Sequence, residues 1–218
     1  MEKPVFIFDF DGTIADTFDV MLKVSRLLAQ EFGFHSIESH EIESFRDKTS
    51  LQVLASLKIP FFKIPRILKK ARSEFSKEMS FVKPFPDIGQ TLFKLKPLSQ
   101  KMGIITTNSQ KNVKNFLENY DLNVFDFITT TSKISQKYQE LKKLRSQTAL
   151  KTTLLYIGDE TRDVEAAKRA GATSIAVTWG YNSLKALQSC QPDGLAHSPR
   201  ELLTLCEQLF WATSEKNK

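Results

Sequence analysis

Two spacings of apolar residues alternate along this chain. Val5-Phe6-Ile7-Phe8 is an unbroken apolar run, mostly β-branched or aromatic, the pattern of a strand buried on both faces. Met102 to Thr106, Phe125 to Thr129, Thr153 to Ile157 and Ser174 to Thr178 repeat it, giving five predicted strands. Between them the period lengthens. Phe18, Met21, Leu22, Leu28 and Phe32 fall at helical spacing, and Gly33 can end that helix. A second helix is expected from Asp87, its cap, to about Leu98, with Ile88, Leu92, Phe93 and Leu95 inward. Others are expected from Gln110 to Tyr120, in the second half of Lys133 to Ser146, from Thr161 to Ala170 closed by Gly171, and from about Pro199 to Phe210. Alternating strands and helices imply a parallel sheet, and right-handed crossovers make it doubly wound, with the first strand central.

One stretch breaks the alternation. From Gly33 to about Phe81 no strand is followed by a glycine-rich turn; short helices are expected near Ser39 to Phe45, Ser50 to Leu57 and Lys63 to Met79, punctuated by Pro60 and Pro65. Phe45, Leu51, Val53, Leu54, Leu57, Phe61, Phe62, Ile64 and Ile67 supply apolar surface for a small helical core. The reading is therefore an α/β, Rossmann-like body over residues 1–15 and 82–218, with an inserted α-helical unit over 16–81. Pro84-Phe85-Pro86-Asp87 is the return linker.

Composition narrows the class. At 218 residues, 41% hydrophobic and 26% charged, the chain matches a soluble globular protein of one domain plus a modest second. A net charge of +6 favours anionic partners, but no arginine-rich block or RNA-binding signature accompanies it, and a solvated lysine-rich surface explains it. Cys190 and Cys206 are too few for a disulfide scaffold and suit a reducing compartment. The chain opens directly on its first strand without a signal-peptide pattern, and no apolar run nears the ~20 residues of a membrane span. A cytoplasmic protein, monomeric or weakly dimeric, is expected.

The chemistry collects where strands end. Asp9 and Asp11 follow the first strand, and Gly12 lets the chain turn there. In open α/β sheets ligands bind at the carboxyl ends of strands. Two acids one residue apart repel each other there, and a divalent cation relieves that repulsion. A plain strand-to-helix turn capped by Asp11 and Thr13 is the competing reading. Thr107 and Asn108 follow the second strand at the start of a helix, where a hydroxyl and backbone N–H groups can hold a phosphate oxygen or simply cap the helix. Lys133 and Lys137 both lie between the third and fourth strands. Gly158-Asp159-Glu160-Thr161-Arg162-Asp163 follows the fourth, with Asp159 and Asp163 one helical turn apart and directed to the same edge as Asp9. Here the competing reading is a capping box, with Glu160 and Arg162 as solvated bystanders.

Val-Phe-Ile-Phe-Asp-Phe-Asp-Gly-Thr, with the later strand ends, resembles the signature of the haloacid dehalogenase superfamily, most of whose members are phosphohydrolases. Members with a helical cap insert it just after this first motif. The resemblance implies Asp9 as nucleophile, Asp11 as general acid/base, and Thr107 with Asn108 as phosphate contacts, Asn108 reaching phosphate or Asp11. Its lysine register, in Ser132-Lys133-Ile134-Ser135-Gln136-Lys137, selects Lys137, although Gln136 replaces the usual glycine. It further implies Mg²⁺ on the Asp9 carboxylate, the Asp11 carbonyl, the Asp159 carboxylate, a phosphate oxygen and two waters. Asp163 would orient one water or bind directly. Trp179-Gly180-Tyr181-Asn182 and Pro192 to Pro199 are similar to segments of its phosphoglycolate-phosphatase-like subset, and His197 is read as a loop residue. The expected activity is Mg²⁺-dependent hydrolysis of a small phosphorylated metabolite. A phosphomutase on the same core is the nearest rival; a 2-haloacid dehalogenase, which needs neither Asp11 nor metal, and a phosphate-binding regulator without turnover are further ones.

Overall fold

The computed structural model describes residues 3–131, 136–148 and 152–215. Six parallel strands form one sheet: β1 (Val5–Phe8), β2 (Lys101–Thr106), β3 (Phe127–Thr130), β4 (Leu154–Gly158), β5 (Thr173–Val177) and β6 (Gly194–Ala196). Their order is β3-β2-β1-β4-β5-β6, so the order reverses at β1, whose Val5 pairs with Lys101 on one side and Leu154 on the other. A reversal of this kind opens a crevice at the strands' carboxyl ends.

The strand's two-residue period explains why both faces are apolar. Phe6 and Phe8 join a cluster with Ile88, Leu92, Val113, Phe116, Leu202 and Cys206, contributed by α5 (Ile88–Leu95), α6 (Gln110–Asn119) and α10 (Pro199–Glu215). Val5 and Ile7 face the other way, onto Leu141, Ala166, Ala167 and Ala170 of α7 (Gln136–Gln147) and α8 (Thr161–Ala170). Alanines on α8 bring that helix close to the sheet, which seats its first turn near the end of β1.

Between β1 and β2 the chain forms α1 (Phe18–Phe32), α2 (Ile42–Arg46), α3 (Ser50–Ser56) and α4 (Ile64–Glu78). Gly33 ends α1 in the left-handed conformation, φ +68°. These helices bury their own clusters, Leu22 with Ile37, Phe45 and Leu57, and Val24 with Leu28 and Ile67. The segment leaves and re-enters the α/β body through two neighbouring extended stretches: Asp16 N–H donates to Lys83 O (2.9 Å) and Phe85 N–H to Ile14 O (3.1 Å).

Several expectations need correction. Leu51, Phe61 and Phe62 are not core; they are 77%, 88% and 80% exposed, because the short helices that carry them turn those faces outward. Asp87 holds the N-cap position of α5, where its carbonyl accepts from Thr91 N–H (3.1 Å), but its side chain does not cap the helix. It has φ +63° and makes no side-chain bond to the helix, and its Oδ2 instead accepts from Arg200 Nε (3.0 Å). α5 stops at Leu95, and a 3₁₀ turn over Lys96–Leu98 follows, with Pro97 inside it. β3 starts at Phe127 rather than Phe125, whose ring packs edge-on against Phe8 (6.0 Å) before the ladder begins. A short helix, α9 (Leu184–Ser189), and strand β6 were not anticipated, since neither carries a long enough apolar period. Cys190 and Cys206 are free thiols.

Candidate active site

Asp9 follows β1 at the switch point and is buried. Phe10 N–H donates to its Oδ1 (2.7 Å) and Lys137 Nζ to its Oδ2 (2.5 Å). Lys137 is the second residue of α7 and is 1% exposed; it also donates to Asp163 Oδ1 (2.8 Å). Burial alone would lower this ammonium's pKa, but the Asp163 and Asp9 carboxylates outweigh it and hold the group above its ordinary value. Burial pushes the Asp9 carboxyl up to about 7, against the opposing pull of Lys137. Lys133, the other candidate, lies outside the described residues.

Asp11 sits apart from this pair, half-buried, with Asn108 Nδ2 donating to its Oδ1 (2.9 Å) and Oδ2 (3.1 Å). The amide's orientation is fixed, because Asn108 Oδ1 accepts from Ser109 N–H and Asn112 Nδ2, both at 2.8 Å. Burial raises the Asp11 carboxyl to about 6, with Asn108 pulling the other way. Asn108 N–H in turn donates to Thr106 Oγ1 (3.0 Å), which ties the loop to the end of β2. Thr107 is half-buried between them.

Asp159 directly follows β4 and is fully buried, and its two oxygens accept from Thr13 Oγ1 (2.7 Å) and Tyr181 N–H (2.8 Å). Among the described residues only neutral donors reach it. Burial, then the charges of Glu160, Asp9 and Asp163, hold its carboxyl well above the ordinary carboxylate range. Gly12, at φ +76°, and Gly180 flank it so closely that a Cβ on either would run into the carboxylate. Asp9, Asp159 and Asp163 each offer an oxygen, all within 4.8 Å of one another. Three hard oxygen donors with one ammonium between two of them leave negative charge that a small dication would neutralise, so the donor set fits Mg²⁺. The Asp11 carboxylate is not in this cluster; it faces Asn108.

A capping box and an acid cluster are not alternatives here. Glu160 and Asp163 cap α8 reciprocally, with Glu160 N–H donating to Asp163 Oδ2 (3.2 Å), while Asp163 Oδ1 still accepts from Lys137 and from Tyr156 OH (3.3 Å). Nor is Glu160 a solvated bystander. It is buried, ion-paired to Arg162, and accepts from Ser50 Oγ (3.2 Å) across from the helical segment. Arg162 is largely covered as well, and its Nε is buried without a hydrogen-bond partner among the described residues.

The part of the site that sequence reasoning did not assign is the loop after β5. Trp179 Nε1 donates to Thr13 O (3.1 Å), Gly180 lies against Asp159, Tyr181 N–H binds its carboxylate, and Tyr181 OH is 2.8 Å from Thr17 Oγ1. The available signal was its place after a strand adjacent to β4, where a loop must border the same crevice. His197 is an exposed loop residue whose Nδ1 lies 3.2 Å from Thr178 Oγ1.

A parallel sheet with acids gathered at its switch point places a candidate ligand and cation site at the strands' carboxyl ends. The family model for haloacid dehalogenase-like hydrolases matches residues 6–177, and the chain belongs to that family. A phosphoglycolate phosphatase of Synechococcus elongatus is 30% identical over 206 residues, covering 94% of this chain and 97% of the relative. One from Aquifex aeolicus is 25% identical over 209 residues, covering 93% and 96%. Among solved structures, a haloacid dehalogenase-like family hydrolase of Streptococcus pneumoniae superposes with a TM-score of 0.77 at 25% identity, over 93% of this chain and 98% of that one. No helix among the described residues is long and apolar enough to cross a membrane.

Proposed function

We propose that the protein is a Mg²⁺-dependent phosphomonoesterase that hydrolyses a small phosphorylated metabolite through an aspartyl-phosphate on Asp9. It is a phosphatase of its family, and the names of its relatives support phosphoglycolate as the first substrate to test. One observation carries the reading: the buried carboxylates of Asp9, Asp159 and Asp163 converge, while Asp11 is held separately by Asn108. Two aspartates one residue apart thus have different surroundings, which is how one site obtains a nucleophile and an acid.

Asp9, Asp159 and Asp163 would hold the cation, with the Asp11 carbonyl as the fourth protein group expected there. Bound Mg²⁺ would supply charge neutralisation for the phosphoryl oxygens. The chain's own groups do the rest. Lys137 and the Phe10 N–H fix the Asp9 carboxylate, which attacks phosphorus as the ester P–O bond breaks. Asp11, with its carboxyl raised to about 6, retains protons closer to neutrality than an ordinary aspartate does and gives one to the departing alcohol oxygen. The same carboxylate then takes a proton from the water that cleaves the acyl-phosphate and frees Asp9. Thr107 and Asn108, in the loop just before α6, are the proposed phosphate contacts. The helices of residues 16–81 act as the cap that selects the substrate, with 1–15 and 82–218 as catalytic body. Release of phosphate from a generic aryl phosphate should require Mg²⁺ and stop with chelator; full activity in metal-free buffer sinks the reading.

A further inference from the structure

Asn182 joins three parts of the molecule. It is 5% exposed, and its side-chain amide is bonded at both ends. Oδ1 accepts from Thr161 N–H (2.8 Å), the first residue of α8. Nδ2 donates to Arg46 O (2.9 Å) and Lys48 O (3.0 Å), in the turn between α2 and α3. Its backbone N–H donates to Asp159 O (3.3 Å). Both amide hydrogens are therefore spent on the helical segment, and the oxygen is spent on the helix that presents Asp163. Reversing the amide would set oxygen against two carbonyls and NH₂ against an N–H, so the orientation is determined.

The same turn is fastened from its own side. Arg46 Nη2 donates to Gly180 O (3.0 Å) and Nε to Tyr181 O (3.3 Å), and Ser183 N–H donates to Arg46 O (2.9 Å). Gly180 and Tyr181 enclose one side of the Asp159 carboxylate. The bonds that seat residues 46–48 thus end on the backbone that shapes the cation-facing acid.

We propose that Asn182 is a positioning residue that couples the seating of the Arg46–Lys48 turn to the geometry of Asp159, so that closure of the helical segment and cation affinity rise together. The inference rests on the metal reading given above. Coupling of this kind is reciprocal: if a seated turn tightens the cation site, the cation must tighten the turn. Asn182 does not touch reacting atoms; it acts through Asp159 and through the first turn of α8.

The test uses the full-length protein with Mn²⁺ as a spectroscopic probe and Mg²⁺ as its competitor. Mn²⁺ affinity is measured by electron paramagnetic resonance, and protection of residues 46–50 by hydrogen exchange with and without Mg²⁺. Asn182→Ala should weaken cation binding about 5- to 150-fold, the usual range of such couplings. It should also abolish the extra protection that Mg²⁺ gives the turn in the unaltered protein. Asn182→Asp keeps an acceptor for Thr161 N–H but sets a carboxylate oxygen against the Arg46 and Lys48 carbonyls, so it too should abolish the Mg²⁺-dependent protection of the turn, even should Asn182→Ala not fold. A variant that loses thermal stability yet binds Mn²⁺ as the unaltered protein does would reduce Asn182 to a structural residue and overturn the coupling. Protection of the turn that ignores Mg²⁺ in the unaltered protein overturns it too. Absence of any Mn²⁺ binding by the unaltered protein overturns the metal reading itself, and the coupling with it.

Discussion

Asp9 and Asp11 are separated by one residue and by their partners, and the partners make different kinetic demands. Asp9→Asn removes the proposed nucleophile and should leave turnover undetectable. Asp11→Asn keeps Asp9 and Lys137 and loses the proposed proton transfer, a contribution typically worth ~10²–10⁴-fold. With a leaving group that needs little protonation, Asp11→Asn should still phosphorylate Asp9 and then hydrolyse slowly. Beryllium fluoride, which imitates the aspartyl-phosphate, should be retained by Asp11→Asn and not by Asp9→Asn; mass spectrometry that maps the phosphoryl group elsewhere would reject the assignment. Lys137 gives a second expectation. It lies between two buried carboxylates, and removing one member of such a group typically costs about 3–5 kcal/mol. Lys137→Met should therefore lower the urea midpoint as well as activity, and unchanged stability would mean that the two acids find another counterion. That Asp9 and Asp159 share a neighbourhood could be read from the chain, because each directly follows an apolar strand, and Asp163 lies one helical turn further on. What could not be read was pairing: nothing in Glu160 or Arg162 alone tells that Ser50, 110 positions away, meets Glu160.

Elements set these distances. The alternation of apolar runs with helical periods made five of six strands legible, because buried parallel strands are continuous in hydrophobicity. β6 escaped since three residues, Gly194–Ala196, are too short to show a period. The helical segment was legible as helices and in part as packing: Phe45, Leu57 and Ile67 are core as read, whereas Phe61 and Phe62 have the composition of a core and the position of a surface. The loop from Trp179 to Ser183 was the larger gap, as its work is done by backbone groups and by a missing side chain. Gly180 is needed for space. In Gly180→Ala the new methyl would meet the Asp159 carboxylate and displace it, and misplacement near 1 Å can cost ~10² in rate. Activity at saturating Mg²⁺ should fall by about that factor, with a weaker cation affinity measured by titration calorimetry. An alanine variant with ordinary Mg²⁺ affinity would show that Asp159 can move aside harmlessly.

At the scale of the whole molecule, a cation bound only by the folded chain stabilises it by mass action. Mg²⁺ at 100 times its dissociation constant should add about 2.7 kcal/mol. For a chain of this size that corresponds to a rise in Tm of roughly 5–10 °C. Scanning calorimetry with and without chelator measures it, and a Tm indifferent to Mg²⁺ would argue that the three carboxylates are satisfied without a cation. The sheet order has a consequence of another kind, which concerns how the protein is made. β1 is central, yet its neighbours in the sheet begin at Lys101 and Leu154. At ~5–20 residues per second, the ribosome delivers the first partner roughly 5–20 s after β1 and the second roughly 7–30 s after it. During that interval a strand with four buried apolar residues has both edges unpaired, an arrangement that invites aggregation. The helices between Phe18 and Glu78 form from contacts within their own segment, so they can fold while β1 waits. Nascent chains stalled before Lys101 should accordingly engage a hydrophobic-strand-binding chaperone at Val5–Phe8, and chains stalled after Gly158 should let it go.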